Sequence, residues 1–76
     1  MLVDVNKTKE YSFQQAWQML NKGYIMTSKN TGHSYKVEKV EKRLKLKFYN
    51  PIIAWWQVCD YILTKEVFGT WYAAKI

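Results

Sequence analysis

The chain has 76 residues, of which 17% are aromatic, and its 12 Lys and Arg against 6 Asp and Glu give a formal net charge of +6. This length holds one domain, residues 1–76, with one core, and the charge favours an anionic partner over a cationic one. The single Cys and single His exclude an internal disulfide and a zinc site, and we expect no cofactor.

The sequence also limits where the protein is expected to act. No apolar run approaches the roughly 18 residues of a membrane helix. The first 11 residues lack the basic region and apolar core of a signal peptide. The lone Cys59 suits a reducing compartment. We therefore expect a cytoplasmic protein with no membrane partner.

In residues 1–11, apolar residues alternate briefly, at Val3 and Val5, and the rest of the segment is polar. This pattern predicts a frayed end or a short edge strand. A helix over 13–22 follows. Ser12 and Gln15 have the spacing of a capping box, and Gly23 stands where a left-handed residue ends a helix. One face of this helix is apolar and consists of Phe13, Ala16, Trp17 and Leu20. We expect Trp17 to be the wedge between helix and sheet.

The middle of the chain alternates with the period of β-strands. Tyr24 to Lys29 predicts a strand, and the polar segment 30–33 predicts a turn. Ser34 to Glu41 predicts a second strand whose phase slips at Val40, as a bulge or as the strand end. Arg43 to Tyr49 is the cleanest strand, because three apolar residues alternate with three basic ones.

The segment from Ile52 to Val58 is apolar on both faces. This pattern predicts a central strand, or a strand with one face against another subunit. Trp55 and Trp56 are the candidate interface residues. Sharp bending of the sheet around one core is the competing explanation.

The C-terminal segment contains a short turn and a last strand. Thr64 is a candidate cap for a helical turn over Lys65 to Phe68, and Thr70 to Ile76 alternates as a strand. Together these elements predict an α+β fold in which one N-terminal helix packs on a bent antiparallel sheet of four to five strands.

The sequence offers no catalytic constellation, and we expect a protein that is not an enzyme. Cys59 as a nucleophile would need His33 as its base, and nothing in the sequence places the two together. The acidic residues are scattered, and the three glycines all stand at turns rather than in a phosphate-binding loop.

A basic row provides the candidate ligand site. Arg43, Lys45, Lys47 and Tyr49 share one face of the predicted strand. Such a row could bind phosphates and stack a base on its aromatic end. The alternative is a solvated sheet face, or an edge strand that lysines guard against pairing.

Two segments carry a further pattern, at Phe13, Ala16, Leu20 and Gly23 in the first and at Thr64, Glu66 and Trp71 in the second. In these positions the chain resembles a family of small phage-borne domains that includes sponge-type inhibitors of the bacterial Thoeris defence system and a proposed anti-CRISPR protein. Thr70 replaces the usual Asp, and 28–32 lacks the usual Gly-Trp pair. The resemblance implies an α+β domain that assembles into oligomers and sequesters a cyclic nucleotide signal between subunits.

The leading functional hypothesis is a phage-type accessory protein that antagonises host defence in the bacterial cytoplasm, by binding a nucleotide signal. One alternative is a small basic nucleic-acid-binding module. Another is a protein–protein inhibitor that uses an exposed aromatic patch around Trp55 and Trp56. Nucleic-acid binding should weaken steeply with salt, whereas a stacked ligand in a pocket should not.

Overall fold

The computed structural model describes residues 4–74, which form one antiparallel sheet of six strands with two helices. The elements in chain order are β1 (Val5–Tyr11), α1 (Phe13–Asn21), β2 (Met26–Ser28), β3 (Ser34–Val40), β4 (Arg43–Asn50), β5 (Trp55–Val58), α2 (Thr64–Val67) and β6 (Trp71–Ala74). The sheet order is β1-β6-β2-β3-β4-β5. Neither helix in this range is long and apolar enough to cross a membrane.

The predicted α+β class is therefore confirmed, but the expected four to five strands and one helix are too few. The N-terminal segment forms a full edge strand, β1, which pairs with β6. Residues 64–67 form a second helix. Val3 of the predicted alternation, and residues 75–76 of the predicted last strand, lie outside the described residues.

The start of α1 follows the predicted capping box. The Ser12 hydroxyl accepts a hydrogen bond from the Gln15 backbone N–H at 3.2 Å, and the Gln15 side-chain oxygen accepts from the Ser12 backbone N–H at 3.0 Å. Gly23 has a φ of 97° just beyond the end of the helix. Both ends of α1 are thus set by local sequence.

The prediction that Trp17 is the wedge between helix and sheet is wrong. Its side chain is 43% exposed, whereas Ala16 and Leu20 are fully buried. The position at the centre of the core is occupied by Trp71 of β6, which is 0% exposed. The ring of Trp71 lies 5.6 Å from that of Tyr35 and 5.9 Å from that of Phe13, so Trp71 packs between helix and sheet where Trp17 was expected.

The phase slip at Val40 is the end of β3 and not a bulge. Val40 pairs with Arg43, and the two residues between them form the hairpin turn. Glu41 and Lys42 have φ values of 51° and 67°. Positive φ at both central positions is the mark of a type I′ turn, whose twist matches that of the flanking strands.

The prediction of a central strand over Ile52 to Val58 is also wrong. Residues 51–54 form a turn, and β5 begins only at Trp55 and pairs with β4 alone, so it is the sheet edge. The Asn50 side-chain oxygen accepts from the Ile52 N–H at 3.0 Å, and Ala54 has a φ of 53°. These local contacts turn the chain before the apolar run can extend.

Two smaller boundaries differ from expectation. β2 covers only three of the six residues predicted. Thr64 begins α2 but does not cap it, since the residue at the cap is Leu63. The Leu63 N–H instead donates to the carboxylate of Glu66 at 3.1 Å. A buried acid thus replaces the predicted hydroxyl cap.

Candidate functional site

The two helices lie on one side of the sheet. Ala16 and Leu20 of α1 pack with Met26, Tyr35 and Trp71 in the core. The α2 acid Glu66 reaches the same side, because its carboxylate accepts from the Tyr35 hydroxyl at 2.7 Å. The opposite side of the sheet, which we call the open face, carries no helix within residues 4–74. Along each strand, the residues whose side chains lie on the open face alternate with the residues whose side chains face the core.

A row of side chains crosses the open face from strand to strand. Tyr72 of β6 stands opposite Thr27 of β2, which stands opposite Ser34 of β3. The pairing of β3 with β4 places Ser34 beside Tyr49, and Tyr49 stands opposite Trp56 of β5. Two short hydroxyl side chains thus lie between aromatic residues, so the row forms a trough.

The floor of the trough is a fixed polar surface. The hydroxyls of Thr27 and Ser34 are 2.7 Å apart, and both residues are buried. Short neighbours leave the flanking rings standing above the sheet, and the cavity there has a volume of about 600 Å³. This volume lies within the roughly 300–1,000 Å³ of small-molecule sites.

Lysines and a loop complete the cavity. Lys7 and Lys29 line it, together with the loop 31–33 and Pro51. The Lys29 ammonium lies 3.1 Å from the Glu10 carboxylate. The hydrogen bond and the charge of Glu10 raise the pKa of Lys29 above its ordinary value, so this lysine remains a cation at neutral pH. Sequence reasoning missed these two lysines, because they come from β1 and from the β2–β3 loop.

The side chains of the predicted basic row lie on the open face. Their role in ligand binding stays a prediction. The intervening Leu46 and Phe48 pack against the core on the other side of β4. Tyr49 lines the 600 Å³ cavity, whereas Lys47 lines a neighbouring one of about 410 Å³. Lys45 stands opposite Glu38, and Arg43 stands beside the hairpin turn, beyond both cavities.

The second cavity contains an ion-pair cluster. The Lys47 ammonium lies 2.7 Å from one carboxylate oxygen of Glu38, and the Lys36 ammonium lies 3.0 Å from the other. These two hydrogen-bonded cations hold the pKa of Glu38 below its ordinary value. Lys36 also lies 4.5 Å from the ring centre of Trp56, which packs edge-on against Tyr49 at 5.4 Å. The cluster retains one net positive charge.

The buried carboxylate of Glu66 supports one wall of the trough from behind. It is 0% exposed and accepts hydrogen bonds from the hydroxyls of Tyr35 and Thr31. The His33 Nδ1 atom lies 3.4 Å from it. Because Thr31 and His33 flank the cavity, Glu66 fixes the loop that encloses it. Burial and the carboxylate raise the pKa of Tyr35 above its ordinary value, which keeps its phenol a donor.

The structure brings Cys59 and His33 to one small cavity of about 270 Å³, although the sequence did not place them together. No hydrogen bond joins them among the described residues. Burial, followed by the charge of Asp60, raises the pKa of the Cys59 thiol. A raised pKa opposes thiolate formation at Cys59.

The candidate interface residues differ in environment. Trp55 is 69% exposed, whereas Trp56 is half-buried against Tyr49. Ile52 and Val58 beside them are 90% and 56% exposed. The structure thus leaves an apolar surface along β5, and its role as an interface stays a prediction.

No protein-family model, curated protein or solved structure matches this chain. Function is therefore inferred from the geometry of the open face.

Proposed function

We propose that the protein is a non-enzymatic, phage-type accessory protein that antagonises host defence by sequestering a cyclic nucleotide signal on the open face of its sheet. The observation that carries this proposal is the trough. Tyr72 and Tyr49 flank a floor formed by Thr27 and Ser34, and lysines line the same 600 Å³ cavity. Location in the bacterial cytoplasm is part of the proposal.

Each part of the trough matches one part of a nucleotide. The half-buried ring of Tyr49 offers a surface on which a base can stack, and such stacking contributes about 1–3 kcal/mol per base, whereas Tyr72 is 9% exposed and forms part of the wall. The hydroxyls of Thr27 and Ser34 suit ribose or base edges. The ammonium of Lys7 suits phosphate oxygens, and that of Lys29 can join it by exchanging its half-exposed ion pair with Glu10 for a phosphate. These groups bind and orient a ligand without requiring a reaction.

A panel of three ligands tests the proposal: cyclic AMP, cyclic di-AMP and cyclic ADP-ribose, each titrated by calorimetry. We expect at least one to bind, and Tyr49→Ala to weaken it about ten-fold or more through lost stacking. Tyr61→Ala is the matched control, because Tyr61 is 70% exposed and does not line the trough. Recovery of the ligand unchanged after incubation is the expected sign of a non-enzymatic role.

Binding of none of the three ligands, or equal losses in the Tyr49 and Tyr61 variants, would contradict the proposal. Circular dichroism of both variants establishes that the fold is retained. A ligand recovered in altered chemical form would overturn the non-enzymatic part alone.

One observation favours nucleic acid as a second candidate. Arg43 and Lys45 extend the basic row beyond both cavities toward the hairpin tip, and both are exposed. A polyanion could follow such a row, whereas a single nucleotide does not need it. In a salt titration with single-stranded DNA, replacing Lys45 and Lys47 with Gln should reduce the slope by about two. Absence of DNA binding at low salt would remove this candidate.

A further inference from the structure

We propose that the occupant of the exposed β5 edge is a second copy of this chain, and that the two β5 strands pair antiparallel about a two-fold axis. The result is a continuous sheet through two molecules. This inference concerns a different surface from the trough, and it holds whether or not the trough binds a nucleotide.

The two edges of the sheet differ in how they are protected. β1 at one edge carries Lys7, Lys9 and Glu10, and charged side chains on an edge strand discourage pairing with another chain. β5 at the other edge reads Trp-Trp-Gln-Val and carries no charge. Its outward backbone groups are accordingly free of the charged neighbours that guard β1.

The apolar area along β5 is large enough for a dimer. The exposed fractions are 90% for Ile52, 53% for Ile53, 69% for Trp55 and 56% for Val58. A large aromatic side chain has roughly 150–250 Å² of surface and an aliphatic one somewhat less, so these four expose on the order of 500 Å² per copy. Two copies supply about 1,000 Å², which is the area that a stable interface should clear.

A second copy of this chain needs no separate complementary surface. A two-fold axis lets one surface pair with itself, so the uncharged β5 edge of one copy meets the same edge of the other.

The pairing also completes the second cavity. Trp55, Trp56 and Ala54 form its outer wall at the β5 edge. A two-fold axis perpendicular to the sheet keeps the open faces of both copies on the same side. The cavity containing Lys36 and Lys47 then faces its equivalent across the seam, and each copy closes the open side of the other.

Sedimentation velocity at high micromolar concentration tests the dimer. We expect a parent dimer, and a folded monomer for Trp55→Lys, because this substitution places a charge at the seam. Leu44→Lys is the matched control: Leu44 is 65% exposed, lies on β4 near the hairpin tip, and receives the same new charge. It should remain dimeric. Circular dichroism of both variants reports folding.

Amide hydrogen exchange distinguishes edge pairing from stacking of apolar surfaces. Pairing predicts that protection of β5 amides rises with protein concentration, while protection of the β1 edge does not. A parent that stays monomeric overturns the proposal, as does a Trp55→Lys variant that remains a dimer. A dimer without concentration-dependent protection in β5 overturns the strand pairing.

Discussion

The two halves of the sheet differ in how far they bury their large apolar side chains. Beneath the helices, β6, β2 and β3 bury Trp71 at 0% exposure and Tyr35 at 4%. At the other half, β4 and β5 leave Leu44 and Trp55 more than 60% exposed. Two short helices cover only part of a six-stranded sheet, so large apolar side chains of the far strands stay exposed to solvent.

This difference separates residues that maintain the fold from residues that are available for binding. The covered half contains the Glu66 network, in which hydroxyls and a backbone N–H satisfy a buried carboxylate. The Glu38 ion pairs, which join β3 to β4 on the open face, are partly exposed to water. Substitutions on the helix-covered side of the sheet should act mainly on stability, and those on the open face and along β5 mainly on binding and assembly.

The largest expected effect is the contrast between two tryptophans. Trp71→Ala should lower the free energy of unfolding by about 3–5 kcal/mol, because it removes a buried indole from the core. This loss is comparable to the whole stability of a small domain. Trp17→Ala should cost less, about 1–2 kcal/mol, since Trp17 is 43% exposed and buries only part of its ring. Urea unfolding of both variants measures the difference, and equal losses would mean that both rings are buried.

The Glu66 network should give the next largest effect. Glu66→Gln should cost about 1–3 kcal/mol, because it weakens charge-assisted hydrogen bonds in a buried site. Glu41→Gln is the control at an exposed acid in the hairpin turn, and its stability should hardly change. Urea unfolding at neutral pH compares the two, and an equal cost would show that the buried carboxylate is not specially stabilised.

The same network predicts a loss of stability in alkali. The pKa of Tyr35 is raised above its ordinary value of about 10, so the folded protein holds this proton more tightly than the unfolded chain does. The stabilising contribution is complete below about pH 10 and falls as the pH rises beyond it. Tyr35→Phe should remove this part of the pH dependence, and a parent with no decline above pH 10 would contradict the assignment.

Local features of the sequence predicted the elements that local chemistry determines. The capping box at Ser12 and the alternation over β4 were both predicted correctly, since each depends on residues a few positions apart. The burial of Trp71 instead of Trp17 depends on how the helix packs on the sheet in three dimensions. Periodicity places both residues on an apolar face and does not show which of the two is more deeply buried.

The candidate site was only partly predictable for a similar reason. The basic row on β4 follows from period two within one strand. The trough depends on the register among four strands, which places Tyr72 level with Thr27 and Ser34 level with Tyr49. Register comes from turn geometry and core packing together. No pattern within one segment of this chain contains it.

The smallest predicted effect concerns the hairpin tip at the uncovered end of the sheet. Lys42 has a φ of 67°, a conformation that costs a residue with a Cβ about 1–2 kcal/mol. Glycine removes that cost, although it adds freedom to the unfolded chain, so Lys42→Gly should stabilise the protein by about 0.5–1 kcal/mol.

Lys39→Gly is the matched control, with the same loss of charge at an exposed position inside β3. There glycine brings only flexibility, and the variant should lose about 0.5–1 kcal/mol. Opposite signs in urea unfolding would show that the tip, unlike the core, carries its strain in the backbone. Destabilisation by both substitutions would mean that Lys42 does not hold the positive φ on which the type I′ turn depends.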